Sequence, residues 1–209
     1  MKDAAPRPVR LAEYAPFSHV VETVTLAFDL HPSATRVRSR IAFRPNPDGP
    51  GGPLRLDGEK LTLISAAIDG APVAPRVDPT GLEVETPDAP FVWECEVEID
   101  PSANTELDGL YISNGMFCTQ CEAEGFRKIT YYPDRPDVMA PFSVRVNSDL
   151  PVRLSNGNPG DSDADWAEWH DPHPKPSYLF ALVAGDLVAH SDCFRTMEGR
   201  DVALNIWVR

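Results

Sequence analysis

Apolar and polar residues alternate in several short runs along the chain, and a period of two is the mark of a half-buried strand. Val24, Leu26, Phe28 and Leu30 fall on one face, with Thr23, Thr25 and Asp29 on the other. A turn follows at His31, Pro32 and Ser33. The next run then sets Val37, Ile41 and Phe43 against Arg36, Arg38 and Arg40. This predicts a hairpin with one wet face. Alternation places the three arginines on that solvated face, so they do not read as a phosphate site. Residues 46–53 (NPDGPGGP) are a loop on composition. Residues 54–68 carry short apolar runs broken at Asp57-Gly58, and Asp69-Gly70 is a hairpin turn signal. A short strand over residues 82–85 follows the turn at residues 78–81.

The cleanest strand covers residues 91–99. Phe91, Trp93, Cys95, Val97 and Ile99 point inward, and Glu94, Glu96 and Glu98 point outward. Cys95 on that apolar face is a small buried hydrophobe. Periodicity weakens over residues 110–139, then strands resume at 142–146, 178–183 and 202–208. In the last of these Val202, Leu204, Ile206 and Val208 alternate up to the final residues, which reads as a piece cut from a longer protein. No internal repeat and no amphipathic helix stand out. The pattern predicts an all-β fold of antiparallel sheets packed as a sandwich. Residues 1–209 read as a single domain, with 1–17 an irregular, Pro-rich surface arm.

Composition narrows the functions available. The 209 residues carry 19 basic and 32 acidic side chains, a formal net charge of −13. Such a chain repels phosphate backbones and anionic lipid, which excludes nucleic acid and membrane surfaces as partners. The 22 prolines fit a chain rich in loops and strand ends. The opening residues MKDAAPRPVRLAEYAPF lack the continuous apolar core of a secretory signal, and no run of ~20 apolar residues occurs. A cytoplasmic location with reduced thiols is the expectation.

Candidate chemistry is sparse. Cys118 and Cys121 form a lone CxxC, which suits a redox pair only beside a helix, and suits four-cysteine zinc only with a second close pair. Cys95 and Cys193 are isolated, so the pair reads as structural. His170 and His173 are spaced three apart, but Pro172 and Pro174 argue against a helix there, and a solvated turn is expected. There is no HExxH, glycine-rich phosphate loop or GxSxG, so no catalytic set is complete.

The run CTQCEAEGFRKITYYPDRPDV, residues 118–138, resembles a signature stretch of the bacterial branch of the aminopeptidase N family. PSANTELDGLY at 101–111, LSNGN at 154–158 and PKPSYLFALVAGD at 174–186 match in the same order. The resemblance implies a saddle-like, all-β N-terminal domain that precedes a thermolysin-like catalytic domain. In the parent enzyme, zinc would be held by HExxH and a downstream glutamate; those motifs and the GAMEN-type segment are absent here, so no metal ligand, no catalytic residue and no activity are expected of this piece alone. The matching substrate residues are Gln120 and Glu122. Glu122 would accept hydrogen bonds from the α-ammonium of a peptide substrate, and Gln120 would support it and border the pocket for the first side chain. Glu124 reads as structural. Arg127, Asp134, Arg135 and Asp137 read as a network holding the loop. The implied partners are peptides with a free N-terminus and the catalytic domain of the same chain. Two further classes stay open: a stand-alone β-sandwich binding module, and a CxxC redox protein.

Overall fold

The structure is a computed structural model that describes residues 10–209. Residues 1–9 of the expected arm lie outside that range. The remainder of the arm is irregular apart from a 3-10 turn at Leu11–Glu13. Two more 3-10 turns, Phe126–Lys128 and Ser177–Leu179, are the other helical elements, and the described residues contain no α-helix.

The strands in chain order are β1 (His19–Asp29), β2 (Thr35–Pro45), β3 (Leu54–Asp57), β4 (Thr62–Ile68), β5 (Ala71–Pro72), β6 (Arg76–Asp78), β7 (Gly81–Val84), β8 (Phe91–Ile99) and β9 (Gly109–Ser113). They continue with β10 (Met116–Gln120), β11 (Met139–Asn147), β12 (Val152–Ser155), β13 (Asn158–Asp163), β14 (Trp166–Pro176), β15 (Leu182–Gly185), β16 (Val188–Arg195) and β17 (Asp201–Val208). An eight-stranded sheet runs β13-β14-β11-β1-β2-β8-β4-β5. A four-stranded sheet runs β12-β15-β10-β9, a three-stranded one β3-β7-β6, and β16-β17 stand as a pair. The expected all-β class with antiparallel sheets holds, with one parallel pair, β1 beside β11, inside the large sheet.

The inner face of the large sheet supplies most of the core. Leu26 and Phe28 from β1, Val37, Ile41 and Phe43 from β2, and Trp93 and Val97 from β8 are fully buried. A bulge in β1 between Val21 and Thr23 changes the parity of burial. His19 and Val21 point inward before it, and Val24, Leu26 and Phe28 point inward after it. On the outer face, Arg36 pairs with Glu96 and Glu98, Arg38 with Asp29, and Arg40 with Glu94. The arginine and glutamate faces read from the sequence thus neutralise each other across neighbouring strands. A shallow cleft of about 450 Å³ on this face includes Arg38, Arg40, Glu94 and Glu96 in its lining. Those four side chains are already paired.

Two expectations change. Residues 178–183 are not one strand: Ser177–Leu179 form a 3-10 turn and β15 begins only at Leu182. The Asn156 side chain holds that turn, donating to Leu179 O at 3.0 Å and accepting from Ala181 N at 2.7 Å. His170 and His173 lie in β14 and not in a turn. The register slips between Ala140, opposite Lys175, and Phe142, opposite Asp171. Pro172 and Pro174 sit in that bulge, where a missing N–H breaks no ladder bond.

His19 is buried between the rings of Phe43 and Phe91, which it meets edge-on. Burial lowers its pKa below the ordinary imidazole range. The unfolded chain takes up this proton near pH ~6.5, while the folded chain resists it. The His19 contribution is therefore complete above that pH and is lost as pH falls towards the depressed folded value. Urea midpoints at pH 7.5 and 5.5 (both values on the order of one unit from ~6.5) are expected to differ less in His19→Gln than in the native chain. Equal differences in the two proteins would remove His19 from the acid response.

Candidate functional site

The segment that carries Gln120 and Glu122 is built from a hairpin, a short turn and a buried anchor. Asn114 and Gly115, with φ of 51° and 80°, make the tight turn between β9 and β10. β10 pairs with β15 through Phe117 opposite Ala184 and Cys118 opposite Val183. Thr119 Oγ1 extends that pairing by donating to Leu182 O at 3.2 Å and accepting from Leu182 N at 2.8 Å. Gln120 is the last residue of β10.

Beyond Gln120 the chain closes on itself. Gly125 N donates to Cys121 O at 2.9 Å, so residues 121–125 form a single closed turn. Cys121 is buried beneath it, and Glu122, Ala123 and Glu124 are exposed at its tip. Gln120 Nε2 donates to the main-chain carbonyl of Glu122 at 3.2 Å. The amide therefore fastens the backbone that presents Glu122 and leaves its carboxylate untouched. Gly125 has no room for a side chain: a Cβ there would stand 2.1 Å from Asp108 Oδ1 and 2.4 Å from Gln120 O. Phe126 follows, fully buried, with its ring 5.1 Å from that of Tyr132 and 5.2 Å from that of Phe180.

The expected network of Arg127, Asp134, Arg135 and Asp137 is present, in two parts. Arg127 Nε lies 3.1 Å from Asp134 Oδ2. Arg135 pairs with Asp137 at 2.7 Å, donates to Ala15 O, and shares Asp137 with the Tyr14 hydroxyl. This second part straps the arm to the domain and does not reach the turn. Sequence reasoning missed Asp57, Ser177, Lys60, Glu106, Asp108 and Lys128. Ser177 Oγ donates to Asp134 Oδ1, and Asp57 Oδ2 accepts from Asp134 N at 3.0 Å. Lys128 lies 2.7 Å from Glu106 and 3.0 Å from Asp108, and Lys60 also pairs with Glu106. Those lysines hold the Glu106 carboxyl down at about 2. An open cleft of about 650 Å³ lies here, lined by Glu59, Lys60, Glu106, Asp108, Ala123, Glu124 and Lys128.

These contacts sort the charges around the turn. Glu59 and Glu124 reach Arg127 at 4.0 and 3.5 Å, Asp134 reaches it as well, and the two lysines take Glu106 and Asp108. Among the described residues, no ion pair or hydrogen bond reaches the carboxylate of Glu122. It is the acid of this group left open to an incoming cation.

All four cysteines are free. Burial raises Cys118, and burial with Asp134 and Asp108 nearby raises Cys121 further. Cys95 is pushed up to about 12 by burial. A reactive cysteine needs a lowered pKa, and both thiols of the CxxC are shifted the other way. His170 Nδ1 lies 2.9 Å from Ser143 Oγ, and no group of three or more His, Cys, Asp or Glu among the described residues could hold a metal ion.

Residues 54–179 match the family model of the peptidase M1 N-terminal domain. The chain belongs to the peptidase M1 family. Aminopeptidase N of Caulobacter vibrioides is 54% identical over all of this chain, which covers 25% of that protein. The crystal structure of Legionella pneumophila aminopeptidase A in complex with aspartic acid superposes with a TM-score of 0.86 at 31% identity, over 95% of this chain and 25% of that one. A mutant M1 zinc metallopeptidase of Deinococcus radiodurans, bound to a Tyr-Ser-Ala substrate, shares the fold alone, with a TM-score of 0.73 at 17% identity over 91% of this chain and 47% of that one. The chain thus spans about a quarter of the length of the aminopeptidase N it matches. Its M1 membership agrees with the resemblance carried by residues 118–138. The described residues offer no ligand set for the zinc named in the Deinococcus protein.

Proposed function

We propose that the chain is the N-terminal part of a zinc-dependent aminopeptidase that removes N-terminal amino acids from peptides, and that Glu122 anchors the substrate's free α-ammonium group. Gln120 supports Glu122 through its main-chain carbonyl and borders the pocket for the first side chain. The observation that carries this reading is the exposed carboxylate of Glu122, unpaired among the described residues, on a closed turn beside which Glu59, Glu106, Asp108, Glu124 and Asp134 are engaged. A carboxylate makes short, charge-assisted hydrogen bonds to an ammonium group. Fixing the substrate's N-terminus sets which peptide bond meets the reacting centre, and such positioning lowers a barrier by removing orientational freedom.

Among the described residues no group of three or more His, Cys, Asp or Glu could hold a metal ion, and no step of hydrolysis is assigned to Gln120 or Glu122. Zinc would supply Lewis-acid chemistry and water activation from elsewhere in the longer enzyme. The reading gives this domain two partners, peptides with a free N-terminus and the catalytic part of the same protein. Four free cysteines fit action in the reducing cytoplasm.

The β16–β17 hairpin supports a piece that meets further protein. Val188, Phe194, Leu204, Ile206 and Val208 are exposed on it, and an isolated hairpin is marginal in water. Leucine arylamide supplied with zinc is expected to be cleaved by the full-length protein and left intact by residues 1–209. Chelator-sensitive release of arylamine by the short chain would overturn the division of labour. Absence of release by the full-length protein would overturn the aminopeptidase reading.

A further inference from the structure

Among the described residues no hydrogen bond or ion pair reaches the Glu122 carboxylate, so the turn that carries it sets its position. We propose that Asp134 is the positioning residue for Glu122, acting through Arg127, with Ser177 and Asp57 fixing Asp134 in turn. The inference rests on the ammonium-anchoring reading above.

Asp134 is the most enclosed acid near the site, with its side chain 1% exposed. Its Oδ2 accepts from both Arg127 Nε at 3.1 Å and Arg127 N at 3.2 Å. Arg127 Nη2 returns to Asp134 O at 3.2 Å. One aspartate therefore holds the main chain and the guanidinium of the same arginine. Arg127 lies two residues past Gly125, whose N–H closes the turn, so fixing Arg127 fixes the base of the turn. The other oxygen of Asp134 takes the Ser177 hydroxyl, and its N–H goes to Asp57 Oδ2. Arg127 O accepts from Glu59 N at 3.0 Å. Segments from three distant stretches of chain thus converge on one residue pair.

The pair also governs charge. Arg127 is the cation nearest the turn's acids and already reaches Glu124 at 3.5 Å. Held by Asp134, the guanidinium pairs with Asp134, Glu124 and Glu59, and no ion pair to Glu122 occurs among the described residues. A neutral residue at position 134 removes that hold and leaves a poorly hydrated cation in search of a carboxylate. Glu122 is the unpaired one within the same turn. An Arg127–Glu122 pair would consume the anchor without unfolding anything. A purely structural aspartate would lower stability and leave recognition of the amine unchanged.

The test uses the full-length protein and two inhibitors, leucine hydroxamate and isocaproyl hydroxamate, which differ in the α-amino group. The ratio of their inhibition constants reports what the amine contributes, because the metal-binding head is common to both. Glu122→Ala is expected to cut the preference for the amine about tenfold or more, and Asp134→Asn about fivefold, as fits loss of one charge-assisted contact and partial displacement of it. The double variant is expected to show no more loss than Glu122→Ala alone, because residues that act through one another do not add. Losses that multiply in the double variant, or an unchanged preference in Asp134→Asn, would overturn the positioning role while leaving Glu122 as the anchor. An unchanged preference in Glu122→Ala would instead overturn the anchoring reading itself. If Asp134→Asn does not fold, Ser177→Ala takes its place in the same cycle, with the same outcomes deciding.

Discussion

In the full-length protein, Glu122→Ala is expected to lower kcat/KM for a leucine arylamide by about tenfold or more, with circular dichroism and thermal midpoint unchanged. The magnitude follows from the bond removed. A hydrogen bond to a charged group contributes roughly 1.5–3 kcal/mol, and about 1.4 kcal/mol is a factor of ten. Poor placement of the substrate adds to that loss. Stability should not move, because Glu122 is exposed and its side chain holds no partner that its removal would strand. Glu122→Gln should fall between the native protein and alanine, since it keeps an acceptor and loses the charge. The loss should also depend on the substrate's free amine. Steady-state kinetics with the arylamide decide the matter, and an unaltered kcat/KM in Glu122→Ala would take this residue out of the site.

Legibility from sequence followed how each strand meets its two faces. β8 was readable to the residue, because Phe91 to Ile99 alternate a core face with a glutamate face. The β4–β5 hairpin was readable from Asp69-Gly70, which adopt the positive φ that such a turn needs. β13 and β14 carried no such signal. Every residue of β13 is exposed, and β14 carries Pro172 and Pro174 in a bulge. Periodicity detects burial on one face, so a strand wet on both faces or bent by a bulge escapes it.

The site was less legible than the fold. Gln120 and Glu122 entered through resemblance to a family, since alternation and composition gave an amide and one acid among 32 no distinction. What singles out Glu122 is the engagement of its neighbours, and those partners are remote in sequence. Ser177 lies 43 residues from Asp134, and Asp57 lies 77 residues away. No local pattern encodes such a contact. The same holds for the apolar alternation of Val202 to Val208, which predicted a strand correctly and could not tell that its apolar side chains face solvent.

The largest effect on stability is expected from Phe126→Ala, which joins the core to the turn. Phe126 is fully buried, and its ring packs edge-on against Tyr132, Phe142 and Phe180 at 5.1, 6.0 and 5.2 Å. Those partners come from the segment before β11, from β11 itself and from the turn before β15, so one truncation opens a cavity where three parts of the chain meet. Such a change costs about 3–5 kcal/mol through lost transfer energy and the void left behind. A domain of ordinary stability has roughly 5–15 kcal/mol in total. Urea unfolding should therefore show a large drop in midpoint, with Phe126→Leu losing less because it fills more of the space. Phe126 also stands next to Gly125, whose N–H closes the turn that presents Glu122. Kcat/KM in the full-length protein should fall together with stability, although Phe126 lies in the core and contacts no substrate. A midpoint within experimental error of the native value would mean that the aromatic cluster does not pin the base of the turn. A lowered midpoint with unchanged kinetics would mean that Arg127 and Asp134 hold the turn without help from the core.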